Sequence, residues 1–222
     1  MKHTAKQMSE SILLGMVLAL SGGFMDAYSY LCRDQVFANA QTGNILLFGI
    51  HLINREFMVA LHYFSPVLAF TIGIILADIV RHKTTEIQQI HWRQIAVLME
   101  AVILFGVAAI PAGFSMIANT LTSFACGIQV ESFRSIHGNG IATTMCIGNL
   151  RSGTQNLNEY ILTREKPYLR KAGLYFGIIL FFVIGAIIGS LMIKAFREQA
   201  ILFCSALLMI CFFMMFIRLE ER

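Results

Sequence analysis

Charged residues are scarce in this chain. Only 14% of its 222 residues are Asp, Glu, Lys or Arg, whereas 57% are hydrophobic, and a soluble domain carries about 25% charged residues. This composition excludes an ordinary soluble domain. The basic residues form short clusters beside apolar segments rather than a folded basic surface with interleaved aromatic residues, so we expect no nucleic-acid binding.

Enzyme and metal motifs are also missing. The sequence contains no HExxH, GxSxG or Walker loop. Its five cysteines include no CxxC pair and mostly stand in apolar segments, where cysteine acts as a small packing residue. We therefore expect no enzymatic activity, no metal site and no cofactor.

Long apolar segments are abundant instead. Six are long enough to cross the hydrocarbon core, which needs about 20 apolar residues. They are predicted at Ser11–Leu31, Phe57–Val80, Gln94–Ile110, Ser115–Phe133, Ala172–Ile193 and Ala200–Ile217. The predicted fold is all-α, a polytopic membrane helix bundle that forms one transmembrane domain over residues 1–222.

Two further segments are helical in pattern but differ from the spans. Thr42–Ile53 is too short to cross about 30 Å of hydrocarbon, and Thr143–Leu162 is too polar to face lipid. If both dip into the membrane and return, the basic clusters Arg81–Arg93 and Arg164–Lys171 share the cytoplasmic side with both termini, as the positive-inside rule favours. If both cross, the clusters lie on opposite sides.

The two halves of the chain resemble each other, with repeat 1 at about 11–110 and repeat 2 at about 115–218. The matched positions are Gly22 with Gly127, Asp26 with Glu131, and Gly43-Asn44 with Gly148-Asn149. Three spans per repeat would insert the second copy upside down. Inverted repeats of this kind are typical of transporters whose site lies at the repeat interface.

Polar and ionisable groups at membrane depth mark candidate functional residues, because burying them is costly. The predicted substrate-binding or pore residues are Asp26, Thr42, Gly43, Asn44, Glu131, Gly148, Asn149 and Arg151. Asp26, Glu100 and Glu131 are the candidates for proton coupling. Thr42 is the predicted N-cap of the first short helix, and the N-termini of the two short helices favour anions.

Each of these assignments has a structural alternative. The acids could pair with Arg33, Arg134 or Arg151 and lock helices together, with Glu131 and Arg151 as the natural pair. The Gly-Asn pairs could only tie the two short segments in place. Small residues recur at helical spacing at Ser65, Ala69, Gly73 and Ala77, and again at Gly173, Gly177, Gly185 and Gly189. They predict close helix packing, with a homo-oligomer contact as the alternative.

Two motifs carry a family resemblance. Gly22–Tyr28 followed by Phe37–Asn44 resembles the YoaK-like family of bacterial integral membrane proteins, a domain of unknown function. Gly127–Gln129 and Gly148–Leu150 are similar to the second motif of that family. The resemblance implies a bacterial inner-membrane protein of about six spans and brings no established activity.

The sequence thus favours a small-solute or ion transporter or channel with a polar site near the midplane, at the repeat interface. Its expected partners are the lipid bilayer and an unidentified small solute or ion. The alternative is a non-transporting membrane scaffold or assembly partner, in which the polar residues only satisfy one another.

Overall fold

The computed structural model describes residues 11–84, 92–136 and 139–216. These residues form a helical bundle with the elements α1 Ile12–Cys32, α2 Gln41–Ile53, α3 Phe57–Thr84, α4 Trp92–Val107, α5 Ser115–Ser132, α6 Cys146–Thr163, α7 Lys166–Phe196 and α8 Leu202–Met214. Short 3₁₀ turns at Ala112–Phe114 and Arg197–Ile201 lead into α5 and α8. A two-residue antiparallel ladder, β1 Ser135–Ile136 with β2 Asn139–Gly140, precedes α6.

Within the described residues the predicted spans overlap helices, although fewer of these helices are long and apolar enough to cross a membrane. Ile217, the predicted end of the last span, lies outside the described residues. Within the described ranges, three helical stretches are long and apolar enough: Ile12–Cys32, Phe57–Lys83 and Lys166–Met214. The last of these joins α7 to α8. Helix α4 has only 16 residues, and α5 has polar side chains along its length. The all-helical prediction is confirmed, whereas the count of six separate spans is not.

Helix α1 has a defined beginning and end. The Ser11 hydroxyl caps it by accepting a hydrogen bond from the Leu14 N–H at 3.1 Å. Its 21 residues extend for about 31 Å, the thickness of a hydrocarbon core. After Arg33, both Asp34 and Gln35 adopt positive φ angles of 63° and 60°, which non-glycine residues rarely do. This turn sends the chain back along α1.

Helix α1 packs closely on α7 through glycines. A Cβ on Gly23 would collide with the Phe182 carbonyl, and a Cβ on Gly185 would collide with the Leu20 carbonyl. One turn further along α7, Gly189 meets the Phe24 backbone. Residue numbers therefore rise together along the contact, so the two helices run parallel.

Helices α3 and α5 repeat this arrangement. A Cβ on Gly73 would collide with the Phe124 carbonyl, and one on Gly127 would collide with the Phe70 carbonyl. The contact begins at Ser65 with Thr120, whose hydroxyl oxygens are 3.3 Å apart, and ends at Arg81 with Glu131, so this pair is parallel too. Gly127 of α5 therefore corresponds in packing to Gly23 of α1 rather than to Gly22, because both lie against a backbone carbonyl of the neighbouring helix.

Helices α1 and α5 run antiparallel to each other. The Asn119 amide donates to the Arg33 carbonyl. The sulfur atoms of Cys126 and Met25 are 3.7 Å apart, and the Gln129 amide donates to the Leu18 carbonyl at 3.1 Å. Along these contacts the residue numbers rise in α5 as they fall in α1. The C-terminal ends of the two helices therefore lie at opposite faces of the bundle.

The largest buried cluster lies where α1, α4, α5 and α8 meet. It includes Leu18, Phe24, Leu104, Ile201 and Leu208. The Ser205 hydroxyl on α8 donates to the Ala101 carbonyl on α4 at 2.8 Å. This core holds the two halves of the chain together, because α4 belongs to the first half and α8 to the second.

The segments before the two short helices both reach the middle of α1. The Asn39 amide donates to the carbonyl of Gly22, about halfway along α1, at 3.1 Å. From the other side, the Thr144 methyl would lie 2.9 Å from a Cβ on Gly22. Helices α2 and α6 therefore begin near each other and then pack along α3 and α7 respectively.

Several sequence expectations need correction. Thr42 does not cap α2, which begins at Gln41 with Ala40 at the cap position and no side-chain cap bond. Of the basic residues that the structure describes, Arg81 and Lys83 lie in the last turn of α3 and Lys166 begins α7. Lys2 and Lys6, the basic residues before the first predicted span, lie outside the described residues.

Candidate functional site

A cavity of about 730 Å³ lies where the beginnings of α2 and α6 approach α1 and α7. Its walls include Asp26 from α1, Asn39 and Thr42 from the start of α2, and Thr144 and Cys146 from the start of α6. Cavities of this size hold small organic molecules. Of the predicted site residues, Asp26 and Thr42 thus line one cavity.

Asp26 is held in the wall of this cavity by hydrogen bonds from the backbone before α2. Its Oδ1 accepts the Asn39 N–H at 2.7 Å, and the N–H groups of Ala38 and Ala40 also lie against the carboxyl group. Hydrogen bonds from backbone N–H groups stabilise a carboxylate. The segment Ala38–Ala40, which precedes α2, is therefore held in place by its hydrogen bonds to Asp26.

Asn44 holds the same segment from the other side. Its Oδ1 accepts the Phe37 N–H at 3.0 Å, and its Nδ2 donates to the Phe37 carbonyl at 2.7 Å and to Gln41 Oε1 at 2.9 Å. The side chain is completely buried. Gly43 beside it lies under the Phe37 ring, which a Cβ would approach to 2.7 Å.

Asn149 makes a similar hydrogen bond to the backbone that precedes α6. Its Nδ2 donates to the Ala142 carbonyl, and the two residues are seven positions apart, as are Asn44 and Phe37. Gly148 differs from Gly43, because a Cβ there would meet nothing within 4 Å. Both asparagines therefore anchor the backbone that precedes a short helix, and neither lines the cavity.

Glu131 lies away from the cavity, between the ends of α3 and α5. Its Oε1 is 3.5 Å from Arg81 Nη1 and 3.3 Å from Arg134 Nη2. Arg81 also approaches Asp78 at 3.4 Å. Asp26 and Glu131, which the sequence places at matching positions, thus have different surroundings in the structure.

Arg151 lies on the exposed face of α6 rather than beside Glu131. It borders a shallow groove with Ile147, Gly148 and Gln155. Ile147 is 77% exposed, so this face of α6 is uncovered in the chain described. The arginine that Glu131 does contact on its own helix end, Arg134, was one of its predicted partners.

Glu100 is completely buried in α4. Neither of its carboxyl oxygens has a hydrogen-bond partner among the described residues. It lies close enough to Cys126 and Cys204 to interact electrostatically with both thiols. Glu100 is thus an isolated acid in the core between the two halves, separate from the cavity.

Sequence reasoning missed the role of Arg33. Its guanidinium group is completely buried and donates to the Pro111 carbonyl at 3.0 Å and the Ile110 carbonyl at 2.7 Å, with the Val107 carbonyl at 3.5 Å. These carbonyls lie at the last residue of α4 and just after it, where the helix dipole favours a cation. An arginine just after an apolar segment normally indicates an interfacial charge, so the sequence carries no signal for this contact.

The described residues offer little for metal chemistry. Within the ranges 11–84, 92–136 and 139–216, no group of three or more His, Cys, Asp or Glu side chains is arranged to hold a metal ion. Among the described residues, the cavity beside Asp26 therefore offers one acid with amide and hydroxyl groups rather than a cluster of metal ligands.

Apolar helices able to span a bilayer, with polar groups gathered where two short helices begin, define an all-α integral membrane protein. The chain belongs to the family described as "Protein of unknown function (DUF1275)", whose model matches residues 14–214. It is similar to the UPF0700 transmembrane protein YoaK of Bacillus subtilis (strain 168), with 27% identity over 184 residues that cover 79% of this chain and 80% of the relative. This agrees with the predicted family. No solved structure matches the chain.

Proposed function

We propose that this protein is a small-solute or ion transporter or channel with its site in the cavity beside Asp26. The observation that carries the proposal is that the beginnings of two short helices and one carboxyl group share a cavity near the middle of α1. Discontinuous helices of this kind form the midplane sites of many transporters.

An inverted repeat is the architecture we propose for it. In support, the first helix of each half packs on the third helix of the other half, α1 on α7 and α5 on α3, through close glycine contacts. The corresponding helices α1 and α5 run in opposite directions. A twofold axis in the membrane plane would relate the halves in this way.

The short helices are proposed to be re-entrant. Because α3 runs parallel to α5 and antiparallel to α1, α2 must end at the face where α1 ended. The same reasoning returns α6 to the face where α5 ended. Ordered backbone at membrane depth needs polar partners, which Asn39 and Asn44 supply for α2.

We propose a bacterial inner-membrane location with both termini in the cytoplasm. Under the proposed topology, Arg81 and Lys166–Lys171 lie at one face of the bundle, which agrees with the positive-inside rule. Lys194 and Arg197 lie at the opposite face. The lipid bilayer is the expected surrounding, and no catalytic activity is proposed.

We also propose self-association through small residues on α7. Gly73, Gly185 and Gly189 are already used for packing within the chain. At Gly173 and Gly177, an added Cβ would meet nothing within 4 Å among the described residues. These two glycines are therefore the part of the stripe that another copy could approach.

Two-sided access to Cys146 tests the transport proposal. Cys146 lines the cavity and is partly exposed, whereas Cys126 is buried. The wild-type protein would be reconstituted in liposomes, treated with a membrane-impermeant cationic thiosulfonate added outside or trapped inside, and digested for mass spectrometry. We expect Cys146 to react from each side in turn and Cys126, the internal control, from neither.

The scaffold alternative predicts a different result. It is favoured by Asn44 and Glu131, whose polar atoms bind within the protein. A scaffold needs no aqueous route to the cavity. If Cys146 reacted from one side only, or from neither, the proposal that solutes pass through this cavity would be wrong.

A further inference from the structure

The charged side chains that line the cavity are of one sign only, and that sign is negative. Among the described residues that line it, Asp26 is the only Asp, Glu, Lys, Arg or His. Arg151, which sequence reasoning assigned to the site, borders the separate groove along α6. An anionic ligand would therefore find an acid and no basic side chain, contrary to the anion preference expected from the helix ends.

Two N–H groups at the positive end of α2 already donate hydrogen bonds within the chain. The Gln41 N–H donates to the Asn39 carbonyl at 2.8 Å, and the Gly43 N–H donates to the Ala40 carbonyl at 3.0 Å. Asp26 itself accepts the Asn39 N–H. A helix end carries roughly half an elementary charge, less than a carboxylate, so the start of α6 leaves the negative charge of Asp26 dominant.

The remaining walls are mostly apolar and partly aromatic. Tyr30 and Phe37 stack with ring centroids 5.0 Å apart, and Phe182 contributes a third ring from α7. Met145 and Leu31 add further apolar surface. Aromatic faces attract cations, and apolar walls favour a ligand that is itself largely hydrocarbon.

We propose that the cavity binds an apolar organic cation, with its charge near Asp26 and its hydrocarbon groups against the aromatic walls. That this ligand is also carried across the membrane rests on the proposed function. Binding alone does not: the cavity can bind the cation without carrying it, and the proposed function can hold for another solute if the cation does not bind.

A pair of probes with the same shape and opposite charge tests the inference. Radiolabelled tetraphenylphosphonium and tetraphenylborate would be titrated against the purified full chain in lipid nanodiscs, with empty nanodiscs subtracted. We expect saturable, one-site binding of tetraphenylphosphonium and none of tetraphenylborate. Equal or tighter binding of tetraphenylborate would overturn the proposal, as would the absence of saturable binding of tetraphenylphosphonium.

Variants identify the site. Asp26→Asn should raise the Kd for tetraphenylphosphonium roughly tenfold or more, since it removes the fixed charge. Asp78→Asn is the matched control, because Asp78 is an acid outside the cavity that pairs with Arg81, and its Kd should equal that of wild type. Unchanged binding in folded Asp26→Asn would contradict the inference.

A second substitution covers the case in which Asp26→Asn fails to fold. Thr42 lines the cavity and is exposed, so Thr42→Lys can add an ammonium group there and leave the contacts of Asp26 intact. We expect Thr42→Lys to lose tetraphenylphosphonium binding and Thr42→Glu, of similar length and opposite charge, to lower the Kd for it. Equal binding by the two variants would overturn the proposal.

Discussion

The Tyr28 hydroxyl accepts a hydrogen bond from Arg33 Nε at 2.9 Å and donates one to the Glu198 carbonyl at 3.0 Å. The Arg33 guanidinium group also lies over the Tyr28 ring, 5.5 Å from its centroid. Through this pair, the end of α1 is joined to the chain after α4 and to the 3₁₀ turn before α8. The contact thus connects the two halves of the molecule at one face.

Replacement of Arg33 should destabilise the fold strongly. Arg33→Met would remove the donor to the buried Tyr28 hydroxyl and the donors to the partly buried carbonyls of Ile110 and Pro111. An unsatisfied buried group costs about 1–3 kcal/mol. We expect a loss of about 3 kcal/mol or more in the free energy of unfolding, seen as a lower midpoint of unfolding in detergent. Arg33→Lys should recover only part of it, because an ammonium group cannot reproduce the planar fork.

Arg134→Met is the control for this experiment. The Arg134 side chain is 58% exposed and pairs with Glu131, and exposed ion pairs contribute about 0–1 kcal/mol. A similar loss of stability in both variants would show that the buried position of Arg33 does not matter.

The asparagine clamp makes a local prediction. Asn44→Ala removes the acceptor of the Phe37 N–H and the donor to its carbonyl. We expect faster hydrogen exchange at Phe37 and Asn39 and a loss of about 1–3 kcal/mol in stability. Asn149→Ala removes the bond to the Ala142 carbonyl and should have the smaller effect. Unchanged exchange at Phe37 in Asn44→Ala would contradict the clamp.

Sequence patterns could predict the helices and the family, because long apolar segments and local motifs determine these features. They could not predict how helices align in space. The sequence match aligns Gly22 with Gly127. In the packing, however, Gly127 corresponds to Gly23, because each of these two glycines meets a backbone carbonyl of the neighbouring helix, whereas Gly22 meets Thr144. Counted from Gly23, the counterpart of Asp26 is Val130 rather than Glu131.

The sequence also could not predict which groups surround the polar residues in the fold. Thr42 has the chemistry of an N-cap, but backbone groups close the start of α2 instead. Arg33 and Glu131 meet partners far away in the chain, 78 positions for the Pro111 carbonyl and 50 for Arg81. Such contacts depend on tertiary packing, which one sequence does not reveal.

The glycine contacts predict opposite effects at different positions. Gly23→Ala would drive a methyl group into the Phe182 carbonyl, and such overpacking costs about 1–3 kcal/mol. At Gly106 in α4, a methyl group would meet nothing within 4 Å, so Gly106→Ala should gain about 0.5–1 kcal/mol from the better helix propensity of alanine. Unfolding midpoints of the two variants would measure both effects, and a stable Gly23→Ala protein would refute the close approach of α1 and α7.

Exchanging acid and amide in the core should give unequal results at two buried positions. The Glu100 oxygens have no hydrogen-bond partner among the described residues, so Glu100→Gln, which keeps the shape and removes an ionisable group, should leave the unfolding midpoint unchanged or raised. Gln129 is also completely buried, but its amide donates to the Leu18 carbonyl at 3.1 Å and to Thr143 Oγ1 at 3.3 Å. Gln129→Glu removes both donors and sets a carboxyl group against a carbonyl, so we expect a loss of about 2 kcal/mol or more. A large loss in Glu100→Gln instead would mean that the Glu100 carboxyl group has a binding role that the surrounding side chains do not reveal.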